Sequence, residues 1–199
     1  MKVVVIGAEG TVGSAACNEL GGRHDIIKVG RSSGDFHADI ADRGSLESMY
    51  QEIGKIDAVI CAVGSVHFAP LTEFTEEQFM LGLTNKVMGQ VNVVLAGLEH
   101  VDDGGSFTLT SGVLDRDPIR QGTGAATANG AMAGFVTGAA VEMPRGIRIN
   151  VVSPGLLQAS EKKYEGFFPG HEAVSSERVG LAYAKSVEGA ITGQVIIVE

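Results

Sequence analysis

Three glycines at three-residue spacing, Gly7, Gly10 and Gly13 in GAEGTVG, follow the apolar run Lys2–Ile6 and precede a stretch of small, helix-compatible residues from Ser14 to Leu20. The chemistry open to such a place is phosphate binding. The first amides of a helix have no partner within it, and they lie at the positive end of its dipole. Gly7 permits the turn, Gly10 lets backbone approach a pyrophosphate, and Gly13 lets the helix pack close to the strand. Directly after a strand and opening a helix, the motif predicts a dinucleotide cradle of Gly7, Glu9, Gly10, Thr11, Val12 and Gly13. The competing reading is a strand–helix turn with no ligand.

Asp25–Val29 reads as a second strand that ends at Gly30-Arg31-Ser32-Ser33. In a dinucleotide fold this end meets the adenosine ribose, where an acid selects the free 2′-hydroxyl and a base accommodates a 2′-phosphate. No acid is present, and Arg31, Ser32 and Ser33 form an anion-friendly cluster, so NADP(H) is expected over NAD(H). The alternative is a polar turn with an exposed arginine. Asp39, before Ile40, reads either as a contact to the adenine edge or as a turn residue. Ser111, at the end of a later strand, offers a hydroxyl to a substrate carbonyl. His67 and Tyr164, both on loops, are candidate proton donors. Arg116 and Arg120 could meet an acidic substrate or simply be solvated. No metal-ligand spacing exists, and both Cys17 and Cys61 read as small buried fillers.

The elements that must hold these residues alternate strand with helix. After the second strand comes a short third one at Asp35–Ile40, too close to leave room for the usual crossover helix, so it is expected at the sheet edge. A helix follows over Ser45–Ile53 with Ser45 as cap. Lys55–Val63 is the fourth strand. Thr72 or Thr75 starts a further helix, and Phe79–Glu99 reads as one long, mostly apolar helix. Gly104–Ser111 is the fifth strand, Thr123–Met143 a helix rich in alanine and glycine that implies a close neighbour, and Gly146–Val152 the sixth strand. Residues 156–176 form a lid, Glu177–Ser186 a helix and Gly193–Val198 the last strand. The expectation is an α/β chain: a single Rossmann-type domain over 1–199 with a doubly wound, mostly parallel, seven-stranded sheet.

The 199 residues carry 15 Lys and Arg against 24 Asp and Glu, a formal charge of −9. That balance argues against a nucleic-acid or anionic-membrane partner, though not against a local basic pocket. The chain runs straight into a strand, so neither a leader nor a membrane span is expected, and a reduced, cytoplasmic setting is. The apolar long helices suggest a homodimer or homotetramer.

The order GAEGTVG, Cys61–Gly64 (CAVG), long helix, FTLTS, Ala-Gly-rich helix, RGIRINVVSPG (Arg145–Gly155) and TGQVIIV resembles the short-chain dehydrogenase/reductase family over essentially the whole chain. The resemblance implies that Ala62, Val63 and Gly64 stand where the family has Asn-Ala-Gly beside the cofactor, with Pro154 and Gly155 also at the nucleotide. It implies hydride transfer to or from a small carbonyl or alcohol substrate. It also exposes a departure. The family uses an Asn, a Ser and a Tyr-x-x-x-Lys pair. Here Ser111 matches the Ser, but the Tyr position falls on Ala125, the Lys position on Asn129, and the Asn position on Lys86, just after Asn85. Ala125 can transfer no proton, and Asn129 can hydrogen-bond a ribose hydroxyl but supplies no charge. The resemblance thus implies that Lys and Asn are exchanged between two helices. One expectation is that Lys86 reaches into the same space and restores the cation, making Ser111, Lys86 and Asn129 the catalytic set; the other is that Lys86 points to solvent. The rival to an oxidoreductase with an altered catalytic set is a catalytically inactive nucleotide-binding sensor or interaction protein. A bare oligomer scaffold is disfavoured by the glycine turn.

Overall fold

β1 (Lys2–Ile6) is apolar throughout because both its faces are covered. Side chains alternate across a strand; Val4 and Ile6 enter one core with Leu46, Tyr50, Val93 and Met132, while Val3 and Val5 enter another with Leu20, Val179 and Tyr183. A fully buried valine or isoleucine contributes about 1.5–3 kcal/mol, so this strand alone anchors both layers. The computed structural model describes residues Met1–Glu199. Seven strands lie parallel in the order β3-β2-β1-β4-β5-β6-β7. They are β2 (Asp25–Gly30), β3 (Phe36–His37), β4 (Ile56–Cys61), β5 (Val101–Thr110), β6 (Arg148–Pro154) and β7 (Val195–Val198). The helices are α1 (Thr11–Leu20), α2 (Arg43–Ile53), α3 (Glu76–Leu81), α4 (Gly89–Gly97), α5 (Thr123–Ala139) and α6 (Ser176–Glu188). α1 and α6 cover one face of the sheet; α2, α4 and α5 cover the other. The expected Rossmann-type, doubly wound single domain is therefore what the chain forms. No helix is long and apolar enough to cross a membrane.

The strand order reverses between β1 and β4, the place where open parallel sheets leave a crevice at the carboxyl ends of their strands. Register aligns those ends: Ile6 sits opposite both Val29 and Cys61. β3 is a two-residue edge strand with no helix before it, as the short spacing required.

Several local expectations need correcting. α2 starts at Arg43, and its cap is Asp42, whose carboxylate accepts from the Gly44 amide; the Ser45 hydroxyl instead accepts from the Asp39 amide. Thr75, not Thr72, caps α3 through a reciprocal pair with Gln78. The single long helix is interrupted: between α3 and α4, Gly82–Met88 winds as a π-helix. Cys17 is only half-buried, whereas Cys61 is buried outright. The close neighbour implied by α5 exists at its start, where Gly124 leaves no room for a side chain beside Phe74, but open space lies over Gly130, Gly134 and Gly138.

Candidate active site

Two adjoining cavities occupy the carboxyl edge of the sheet and share Ala62 and Gly64 as a common wall. The first, about 370 Å³, is lined by Gly7, Glu9, Gly10, Arg31, Ser33, Asp39, Ile40 and Val63 among others. Its floor is the glycine turn. The Gly7 amide donates to Val29 O at 2.7 Å and the Gly10 amide to Gly7 O at 3.0 Å, which ties the turn to the end of β2. Gly7 has φ +86°, and a side chain there would meet Val63 Cγ2 at 2.5 Å. Gly13 faces away from the cavity; its Cβ would lie 2.0 Å from Gly7 O, so its role is the close helix–strand contact. The α1 ladder begins with Ser14 N to Gly10 O at 2.8 Å, and no side chain caps the helix start. The amides of Thr11, Val12 and Gly13 therefore precede the ladder without a side-chain competitor. That arrangement fits a diphosphate.

Arg31 is three-quarters exposed, and its Nε lies 3.4 Å from Asp39 Oδ2. Asp39 Oδ1 accepts from the Ala41 amide at 3.0 Å, so Asp39 both makes the turn and lines the cavity. Of the residues assigned to the cofactor, only Gly13 and Ser32 line neither cavity; Thr11, Val12, Pro154 and Gly155 line the second.

The second cavity, about 510 Å³, brings Lys86, Ser111, Ala125 and Asn129 together from the π segment, the end of β5 and one turn of α5. Lys86 does not point to solvent. Its Nζ donates to Asn129 Oδ1 at 2.7 Å and to Ser111 O at 3.1 Å. The Asn129 amide in turn donates to Gly112 O at 3.1 Å, and the Ser111 hydroxyl donates to Asn129 O at 3.1 Å. Gly64 makes room for the lysine stem, since a Cβ there would lie 2.6 Å from Lys86 Cγ. Burial pulls the Lys86 ammonium down to about 8, with Asp115 opposing weakly. An ammonium has three donors; two are committed here, which leaves one for a bound oxygen.

Residues behind the site fix it in place. Gln90 on α4 pairs with the backbone of Thr110 in both directions at 2.8 Å, and the Thr110 hydroxyl donates to Cys61 O at 2.7 Å. Tyr183 meets that hydroxyl from the other layer at 2.6 Å. Burial raises the Tyr183 phenol and pushes the Cys61 thiol up to about 12, so both are inert and structural. Sequence reading missed Gln90; a glutamine buried in a mostly apolar helix, where Asn92 is the other polar residue, was its signal.

The other candidates separate. Tyr164 lines the second cavity in an aromatic cluster with Phe68 and Phe168, their ring centroids 6.2 and 5.9 Å from its own. His67 packs edge-on against Phe74 at 5.7 Å and lines neither cavity. Arg116 is committed to Ser153 Oγ at 2.6 Å, Asp115 at 3.2 Å and Glu199 at 2.7 Å, so it is a strut between β6 and the chain end. Arg120 borders a separate cavity with Asp117 and Phe167.

Residues 24–198 match the model of a family described as enoyl-(acyl carrier protein) reductase. An uncharacterized oxidoreductase of Methylorubrum extorquens is 30% identical over 128 residues, a match covering 62% of this chain and only 50% of that protein. A 3-oxoacyl-[acyl-carrier-protein] reductase of Rattus norvegicus is 24% identical over 100% of this chain and 86% of its own. Among solved structures, a Listeria innocua protein superposes with a TM-score of 0.98 at 48% identity, each chain covered completely. A small-chain dehydrogenase in complex with NADPH superposes at 0.88 with 24% identity over 100% of this chain and 96% of that one, which shows shared fold.

Proposed function

The chain belongs to the short-chain dehydrogenase/reductase family, and from that premise we propose that it is an NADP(H)-dependent oxidoreductase acting on a small carbonyl or alcohol, with Lys86, Ser111 and Asn129 as its catalytic set. The observation that carries this reading is the 2.7 Å contact from Lys86 Nζ to Asn129 Oδ1 beside Ser111, in a cavity that opens onto the glycine cradle. A cation thus stands beside the residue at which the family's lysine is expected.

The cradle of Gly7–Gly13 would hold the diphosphate, and Arg31 with Ser33 would take a 2′-phosphate. Bound there, the nicotinamide supplies or accepts a hydride. The chain's own task is the proton. In reduction, Lys86 Nζ gives its remaining proton to the substrate oxygen as the carbonyl carbon gains the hydride, and water at the cavity mouth returns the proton to the amine. An ammonium near 8 is a competent donor to an oxygen that becomes an alcohol. Ser111 turns its hydroxyl from Asn129 O to the same oxygen and so orients it. Asn129 holds Lys86 inward. Ala125 offers no phenol at the family's tyrosine position, and this favours a second reading: nucleotide binding without turnover. Self-association through the exposed row of Gly130, Gly134 and Gly138 on α5, beside the groove lined by Leu95 and Phe135, belongs to the same proposal.

The test is NADPH oxidation across a broad panel of aldehydes and ketones, followed by absorbance. Turnover supports the oxidoreductase; nucleotide binding with no turnover of any member supports the sensor.

A further inference from the structure

The second cavity differs in charge from the molecule that surrounds it. The chain carries a formal −9, yet the charged side chains lining this cavity are Lys86 and Lys163, and no carboxylate lines it. Asp115, the acid that acts on Lys86, is already engaged by Arg116 at 3.2 Å. The lid acids Glu161 and Glu165 line an adjoining cavity, which shares Leu156, Tyr164 and Phe168 with this one. A pocket with low-dielectric walls and one sign of charge concentrates ligands of the opposite sign.

Apart from Thr11, Ser111, Asn129, Ser160 and three glycines, the rest of the lining is apolar or aromatic. Tyr164 meets Phe168 edge-to-face and Phe68 at a tilt of 51°, and Lys163 Nζ stands 5.2 Å from the centroid of the Tyr164 ring. Lys163 is exposed at the mouth, whereas Lys86 is half-buried at the inner end. The two cations therefore sit at different depths, with aromatic faces among the walls. Planar apolar bodies suit such walls.

We propose, resting on the oxidoreductase reading, that the substrate class is an anionic carbonyl compound with an apolar or aromatic body, an oxo acid whose carboxylate is held by Lys163 while its keto oxygen faces Lys86 and Ser111. The lid tyrosine then serves as a wall and as the surface that steadies Lys163, not as a proton donor. Phe68 and Phe168 set the preference for an apolar body.

The test uses a matched pair, 4-oxo-4-phenylbutanoate and its ethyl ester, in which two methylenes separate the keto group from the carboxyl end; the two share a body and differ in charge. Each is titrated calorimetrically into the full chain, and each is then offered with NADPH. The acid is expected to bind about tenfold more tightly than the ester, as a charge-assisted contact requires, and added salt should narrow the gap. In Lys163→Gln the acid's affinity should fall to about that of the ester. An ester that binds as well as the acid, an acid preference unchanged in Lys163→Gln, or binding of neither probe overturns the inference. NADPH-driven reduction of neutral ketones without acid preference would sink the anion claim and leave the oxidoreductase standing. Tight acid binding with no reduction of any carbonyl would do the reverse.

Discussion

Replacing Lys86 separates proton donation from the mere presence of a cation. The wild-type ammonium is held at about 8 because its amine is buried between Asn129, Ser111 and the stem contact with Gly64. A donor with that value is about nine-tenths protonated at pH 7 and about one-tenth at pH 9, so the reduction rate should fall about tenfold across that interval and about tenfold again by pH 10. Alcohol oxidation needs the neutral amine and should rise over the same range. Lys86→Arg keeps the charge but cannot release a proton; its residual reduction should be low and independent of pH. Lys86→Met removes both functions and should cost about a hundred- to ten-thousand-fold. The assay is the initial rate of NADPH oxidation from pH 6 to 10 on the best carbonyl of the panel, with circular dichroism to show that each variant is folded. A wild-type profile flat to pH 10, or a methionine variant with most of the wild-type rate, would refute Lys86 as the donor.

Further outcomes follow from the same geometry. The native pKa of Lys86 lies below its unfolded value, so the native state releases that proton first. The cost of burying the charge is fully present below pH 8 and is relieved between about 8 and 10.5, adding at most about 3 kcal/mol to stability. Solvent at the cavity mouth reduces that figure, and the rise should vanish in Lys86→Met when urea midpoints are compared pH by pH. Arg31→Ala should weaken NADPH about five- to tenfold without touching NADH, because an exposed guanidinium contributes modestly. Asp39→Asn should strengthen NADPH, since Asp39 now shares Arg31 at 3.4 Å; competitive titrations read both. Gly97→Ala on α4 would put a Cβ 2.8 Å from Tyr50 Oη and 2.9 Å from Phe107 Cε1, both fully buried. Such overpacking costs about 1–3 kcal/mol and should lower the urea midpoint with its slope unchanged.

The sheet and its cradle were legible in the sequence because their causes are local. KVVVI can only be a strand covered on both faces, and a glycine triplet behind it has one common use. The missing crossover before β3 followed from chain length alone. What escaped was set by tertiary competition. Asp42 and Ser45 are both good caps, and the choice went to Asp42 because Ser45 was drawn to the Asp39 amide. The π-helix at Gly82–Met88 has no compositional mark, yet it carries Lys86, so the direction of that side chain could not be read from spacing. Arg116 looked free on its loop because its partners, Ser153 and Glu199, lie 37 and 83 residues away. Resemblance to the family implied that Ala125 stands at the tyrosine position; only the fold showed that Lys86 and Asn129 meet.

The most direct measurement is an NADPH fluorescence titration of the purified chain, repeated with NADH and with NADP⁺ as competitor. A saturable change with one site per chain, displaced by NADP⁺ and weaker for NADH, is the expected result. Unchanged emission at a large excess of either nucleotide would contradict the account, since the open amides at the start of α1 would then hold no diphosphate.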